Sequence, residues 1–177
     1  MLSKTSAYIA QVINNADPSV DKDIVEYELG IRLNRFLTLT LSIIVGIVTG
    51  KVLEILLAYW VLTAIRRHSG GIHFSSLTIC AFFSTAVIAT AALVNYSNDL
   101  ANMLTYISVI IFLFYAPNIF HEQNGPVRPV LDRYMSVSIA ITNLYFQWPL
   151  LSTVFIVQAF TILPFWKGGA NENDETK

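Results

Sequence analysis

From Phe36 to Phe165 the chain is a succession of apolar runs, and charge is confined to their ends and to the short breaks between them. The runs are Phe36–Gly50, Val52–Ile65, Leu77–Val94, Leu100–Ala116, Tyr134–Trp148 and Leu150–Phe165. Over the whole chain 54% of residues are hydrophobic and 13% are charged, against about 25% charged in an average soluble domain. A chain of 177 residues cannot hide that much apolar surface inside itself, because small domains leave much of their surface exposed. Lipid is the solvent that fits. The fold class predicted is therefore all-α: a polytopic membrane protein of about six transmembrane helices, in one membrane-embedded domain over 1–177.

Two runs are short for a span, which takes about 20 residues at 1.5 Å each. Phe36–Gly50 gains length by borrowing from the residues before it. Val52–Ile65 stays short, with Glu54 near one end, and fits a tilted or thinned setting. Before Phe36 the pattern differs. Residues 1–15 read as a short amphipathic helix with Leu2, Ile9, Val12 and Ile13 on one side. Asp17-Pro18-Ser19 punctuates it, and Asp17 or Ser19 is the expected cap of the next helix. That second helix carries Asp21, Lys22, Asp23, Glu26, Glu28, Arg32 and Arg35. It is too charged to span, so residues 1–35 are expected at the membrane interface. Residues 36–166 hold the transmembrane helices, and 167–177 form a polar tail.

Lys and Arg set the orientation. Lys4, Lys22, Arg32 and Arg35 precede the first run, Arg66 and Arg67 follow the second, Arg128 and Arg133 follow the fourth, and Lys167 follows the sixth. The opposite turns hold only Lys51, beside Glu54, and Asp99. Six spans in a cell membrane with both termini cytoplasmic satisfy the positive-inside rule at every turn; an odd number would break it. Met1 is followed by Lys4 and a mixed polar stretch rather than a basic-then-apolar leader. The net charge of −1 and the lack of any basic run argue against nucleic acid as a partner.

The stretch that carries chemistry is Arg66-Arg67-His68-Ser69-Gly70-Gly71-Ile72-His73-Phe74-Ser75-Ser76-Leu77-Thr78-Ile79-Cys80. It gathers two histidines, adjacent glycines and the only cysteine at a cytoplasmic boundary. A thiol acts as a nucleophile when a base takes its proton, and imidazole is the usual base near neutrality. On one continuous helix His73 and Cys80 would sit about 10 Å apart along the axis, beyond the roughly 3 Å that proton transfer needs. The chain from Gly70 to Ser76 is therefore expected to depart from helix, which adjacent glycines permit, with Cys80 about one turn inside the following helix. Irregular backbone at that depth has to be covered by protein or line a wet cavity. Three bland readings stand beside this one. His68 can be a plain interface residue. His68, His73 and Cys80 offer donors to zinc, but no fourth ligand is in sight. Cys80 can be a small buried hydrophobe.

This stretch resembles the signature of the AgrB family, membrane peptidases of Gram-positive quorum sensing. Arg66, Arg67, His68, Gly71, His73 and Cys80 fall on its motif. Tyr27-Glu28-Leu29-Gly30, Tyr115-Ala116-Pro117, Pro126-Val127-Arg128 and Leu163-Pro164 resemble weaker family motifs in the same order. One departure is the loop after Pro117, often lysine-rich in the family, which here holds His121, Glu122, Arg128 and Arg133.

The resemblance implies a cysteine endopeptidase that cuts an AgrD-like precursor peptide and promotes its cyclisation to a thiolactone or lactone through an acyl thioester. It implies Cys80 as nucleophile and His73 as base. Backbone N–H groups near Gly70 and Gly71, or Arg66 or Arg67, are the candidates to support the oxyanion. Glu26, Glu28 and Ser69 are candidates to orient His73. A homodimer is expected from the same resemblance, alongside the lipid bilayer as partner. The chemistry calls for no cofactor and no metal. The rival class is a non-enzymatic transporter or scaffold. Transport paths are marked by intramembrane charge, and only Lys51 and Glu54, both at a turn, come near.

Overall fold

The computed structural model describes residues 2–17, 19–72, 76–119 and 128–164. Seven α-helices carry nearly all of them: α1 (Leu2–Ala16), α2 (Lys22–Thr49), α3 (Val52–Ser69), α4 (Leu77–Leu93), α5 (Asn98–Tyr115), α6 (Pro129–Phe146) and α7 (Pro149–Thr161). Two short strands, β1 (Gly70–Gly71) and β2 (Asn118–Ile119), complete the order. Each of the six apolar runs supplies most of one helix, the last of them up to Thr161. Among the described residues, two helices are long and apolar enough to cross a membrane, α2 and α5. Helices α4 and α7 are apolar but shorter.

The described chain divides into two compact units, Met1–Tyr59 with His73–Ala92, and Trp60–Ile72 with Leu93–Lys177. In the first unit α1 packs on α2. Its contact edge is made of small residues one turn apart, the buried Ser6 and Ala10, while Tyr8 and Val12 are exposed. Gly30 supplies the close approach: a Cβ there would lie 3.8 Å from Ser6 Oγ and 2.8 Å from Leu77 Cδ1. The cap of α2 is Asp21, which accepts from the N–H groups of Asp23 and Ile24, rather than Asp17 or Ser19. Those two residues satisfy each other instead. Ser19 donates from its hydroxyl (2.6 Å) and its N–H (3.0 Å) to Asp17 Oδ1. These bonds, the hydroxyl's foremost, hold the exposed Asp17 carboxyl below the usual carboxylate range.

Helix α2 runs 28 residues without a break at Phe36, so the charged stretch and the first apolar run form one rod of about 42 Å. Gly50, left-handed at φ 69°, ends it by donating its N–H to Gly46 and Ile47, a common glycine terminus. Lys51 then donates through Nζ to the Ala92 carbonyl (2.9 Å), covering an orphan acceptor at the end of α4.

In the second unit α5 packs against both α6 and α7 around the fully buried Phe112, Val154 and Phe155. Proline opens both later helices, Pro129 in α6 and Pro149 in α7, at the position where a missing N–H has no helical cost. The α6–α7 turn is held by Asn143, whose side chain accepts from Trp148 N–H (3.0 Å) and donates to the Trp148 carbonyl (3.2 Å) and Thr105 Oγ1 (2.9 Å). Beside it, Tyr96 OH lies 2.8 Å from the Pro149 carbonyl and 2.7 Å from Ser152 Oγ.

Candidate active site

The expected site stretch begins at the C-terminal turn of α3, where Arg66, Arg67 and His68 lie together. Positive side chains there complement the negative end of the helix. Their environments differ. Arg67 is exposed and Arg66 and His68 are half-buried. Arg66 donates through Nη2 to the Ile72 carbonyl. His68 Nδ1 meets Asp132 Oδ1 at 2.9 Å, and Asp132 Oδ2 accepts from Arg128 N–H at the start of α6.

Helix α3 stops at Ser69 because the next two residues turn left-handed, Gly70 at φ 73° and Gly71 at φ 127°, a region L side chains avoid. They form β1, paired in parallel with β2, Gly70 opposite Asn118 and Gly71 opposite Ile119. Both positions are also too close for a side chain. A Cβ on Gly70 would run into the Asn118 carbonyl oxygen, and one on Gly71 would lie 2.8 Å from Thr161 Oγ1 and 3.2 Å from Gln158 Nε2. The expected departure from helix is present at Gly70, Gly71 and Ile72, and Ser69, Gly70 and Gly71 are all buried.

This irregular backbone is satisfied from α7. Gln158 Nε2 donates to the Gly70 carbonyl (2.7 Å) and to Ser69 Oγ (2.9 Å). Ile72 N–H donates to the Thr161 carbonyl (3.3 Å). Asn118 Nδ2 donates to the Ile162 carbonyl (2.6 Å). Sequence reasoning missed Gln158. The signal was present, a lone glutamine in the apolar run Leu150–Phe165. A buried amide demands partners, but the sequence does not say which.

Cys80 sits in the first turn of α4, its N–H donating to the Ser76 carbonyl at 3.1 Å. It is the fourth residue of the helix, one turn in as expected, and 2% exposed. It belongs to the first unit, whereas Arg66, Arg67, Gly70 and Gly71 belong to the second. Glu26 and Glu28 lie on α2, half-buried and exposed respectively, and Ser69 is engaged by Gln158. His73 lies outside the described residues, as do His121, Glu122, Pro126 and Val127 of the loop and the tail from Lys167 to Lys177.

A sequence model of the AgrB family, described as Accessory gene regulator B, matches residues 3–166. The chain belongs to the AgrB family. No curated protein and no solved structure matches it. Membership associates this chain with processing of the AgrD precursor in quorum sensing. Together with the apolar helices α2 and α5, it supports association with a membrane.

Proposed function

We propose that this AgrB-family chain is a membrane cysteine endopeptidase that cleaves an AgrD-type precursor and releases its N-terminal part as a macrocycle. The observation that carries the reading is the placement of Cys80. The chain's only cysteine lies in the first turn of α4, seven residues after His73 and nine after Gly71 in the sequence. In this mechanism His73 takes the Cys80 proton as the sulfur attacks the scissile carbonyl. The tetrahedral adduct collapses, the C–N bond breaks, and His73 returns the proton to the leaving amine. The N-terminal part remains as a thioester on Cys80. A cysteine or serine within the precursor then attacks that thioester and gives its proton to His73, and the Cys80 sulfur departs and recovers the proton. Transfer between two thiols is nearly isoenergetic, so the acyl group keeps its reactivity. Water would discharge it irreversibly, and the burial of Cys80 suits a site that excludes water.

Arg66, Arg67 and backbone N–H groups at Gly70 and Gly71 are the groups proposed to stabilise the oxyanion. The chain is proposed to cross the cell membrane several times as one domain, with both termini and the active site cytoplasmic, and to act as a homodimer in the bilayer. The decisive experiment reconstitutes the chain with the peptide encoded beside its gene and weighs the products. Cys80→Ala should abolish cleavage without loss of insertion, and His73→Ala should be comparably inactive. Cleaved peptide from the Cys80→Ala chain would refute the nucleophile assignment.

Substrate capture is a separate expectation. The exposed Tyr8 and Val12 of α1 offer an apolar face to a membrane-associated peptide, which raises its local concentration. Deleting residues 1–15 should cut precursor cleavage severely while Cys80 keeps its reactivity toward a small soluble thiol reagent. Loss of that reactivity would assign the segment to folding instead.

A further inference from the structure

We propose that the α6–α7 hairpin stops short of the far membrane surface, and that its turn, residues 146–149, is a lipid-facing surface seated among acyl chains. The inference rests on the reading that this chain spans the bilayer. It starts from length. Residues 134–165 include no Asp, Glu, Lys or Arg. Within that stretch α7 has 13 residues, about 20 Å of helix against a hydrocarbon core of about 30 Å. The uncharged part of α6, residues 134–146, is equally short. The level at which the two arms meet agrees. Helix α5 begins at Asn98 and carries Asp99 in its first turn. Asn143, which holds both backbone groups of Trp148, also donates to Thr105 of α5. Thr105 lies seven residues past Asn98, about 10 Å along the helix. The turn is therefore tied to α5 well inside the end that carries Asp99.

The surface of the turn suits lipid. Tyr145, Phe146 and Trp148 are all exposed. Their rings touch in series, Tyr145 edge-on to Phe146 at 5.4 Å and Phe146 to Trp148 at 5.3 Å between centroids. They continue the exposed apolar side of the same unit, with Ile141 one turn back on α6 and Tyr106 on α5, a helix long and apolar enough to cross a membrane. Irregular backbone in contact with lipid has to find its partners inside the protein, and here it does. Gln147 N–H donates to the Asn143 carbonyl (2.7 Å), Trp148 N–H donates to Asn143 Oδ1, and Pro149 has no N–H. The Trp148 carbonyl accepts from Asn143 Nδ2 and the Ser152 hydroxyl. The Pro149 carbonyl accepts from the hydroxyls of Tyr96 and Thr153, each at 2.8 Å. Water would satisfy these groups at an exposed turn. Their internal pairing, beside exposed rings and without a charge nearby, is what acyl chains require.

The test reads the surroundings of Trp148 by fluorescence quenching. The full-length chain carrying Trp60→Phe and Trp166→Phe keeps Trp148 as its one tryptophan. It is placed in phosphatidylcholine vesicles, with bromine on the acyl chains in one series and iodide in the water on both sides in another. Trp148 should lose most of its emission to brominated lipid and almost none to iodide. Quenching by iodide to the extent seen with free tryptophan, whatever the lipid does, would put the turn in water and overturn the inference. Protection from both quenchers would mean that protein, such as a second copy of this chain, covers the turn, and would overturn it too. A companion chain that keeps only Trp60 separates the two claims. Trp60 is exposed within the apolar run Val52–Ile65, so brominated lipid should quench it if that run spans the bilayer. If bromine reaches neither tryptophan, the spanning reading falls and the inference with it. If bromine reaches Trp60 and not Trp148, the inference alone falls. Should the doubly substituted chain not insert, Trp148→Phe in the otherwise unchanged chain takes its place. Its loss should lower the lipid-quenched share of the emission and leave the iodide-quenched share as it was. A fall in the iodide-quenched share, or an unchanged lipid-quenched share, would overturn the inference.

Discussion

The two ends of α7 solve the same problem with the same kind of group and differ in reach. At the start of the helix Asn143 satisfies both backbone groups of Trp148, five residues away. At its end Gln158 satisfies the Gly70 carbonyl, 88 residues away. Both amides are buried, and both hold backbone at a break between elements, the Trp148 N–H before α7 and the Gly70 carbonyl after α3. The first clasp closes a hairpin between consecutive helices, a local event that the turn itself, with Gln147 at φ 54° and Pro149 behind it, already favours. The second ties together segments that the chain alone would leave far apart. The lesson is that an amide can hold backbone far along the chain, when what it holds is the break after α3. An amide can also hold backbone close by, when what it holds is a turn.

The sharpest way to break the contrast is at Gly70. Gly70→Ala places a Cβ in the left-handed region and against the Asn118 carbonyl, so it should cost about 3 kcal/mol or more and abolish precursor cleavage. Gly50 has nearly the same φ but nothing within 4 Å of its ideal Cβ. Gly50→Ala should therefore cost only about 1 kcal/mol, the left-handed penalty alone. Denaturation of both variants in mixed micelles measures the gap, and equal losses would show that the β1–β2 approach is not what makes Gly70 necessary.

Next in size is the other end of the helix. Asn143→Leu strips Trp148 N–H of its acceptor and should destabilise the chain by about 2 kcal/mol. Cleavage per folded molecule should stay within twofold of wild type, because that clasp lies at the opposite end of α7 from the residue that holds Gly70. A large fall in per-molecule cleavage, scored against folded protein, would erase the distinction between the two ends.

The smallest effect is expected at the His68–Asp132 contact. Its side chains are each 22% exposed, and such pairs contribute under about 1 kcal/mol. Asp132→Asn should shift stability by that much or less and leave cleavage nearly unchanged. A severe loss of cleavage would make this pair part of the site rather than a tie between α3 and α6.

Legibility in the sequence falls off with distance along the chain. The apolar runs mark the helices because each is a local signal in hydrophobicity, and the break at Gly50 and the turn at Pro149 are equally local. The cap of α2 was missed because three candidates stand within five residues, Asp17, Ser19 and Asp21, and only the structure shows that the first two pair with each other. The continuity of α2 through Phe36 was read only in part, as residues lent to the first apolar run, for another reason. A change from charged to apolar composition alters the solvent a helix prefers, without breaking the helix. The glycines announced a bend before His73, yet nothing near them named Asn118 or Gln158 as partners. A two-residue strand has too little pattern to read, and a glutamine in an apolar run declares a need without an address.

The unbroken course of α2 couples the membrane to the N-terminal helix mechanically. About 42 Å of helix exceeds a hydrocarbon core of about 30 Å, and α1 is packed on the same rod through Ser6 and Gly30. With no hinge between Lys22 and Thr49, any tilt of the apolar portion is also a tilt of the charged portion and of what rests on it. Where α2 crosses the bilayer, membrane thickness sets the angle at which α1 meets the surface. There, a thinner membrane would lean the rod and swing α1 with it, like a boom on a mast, so that lipid composition would adjust how the chain presents its N-terminal helix.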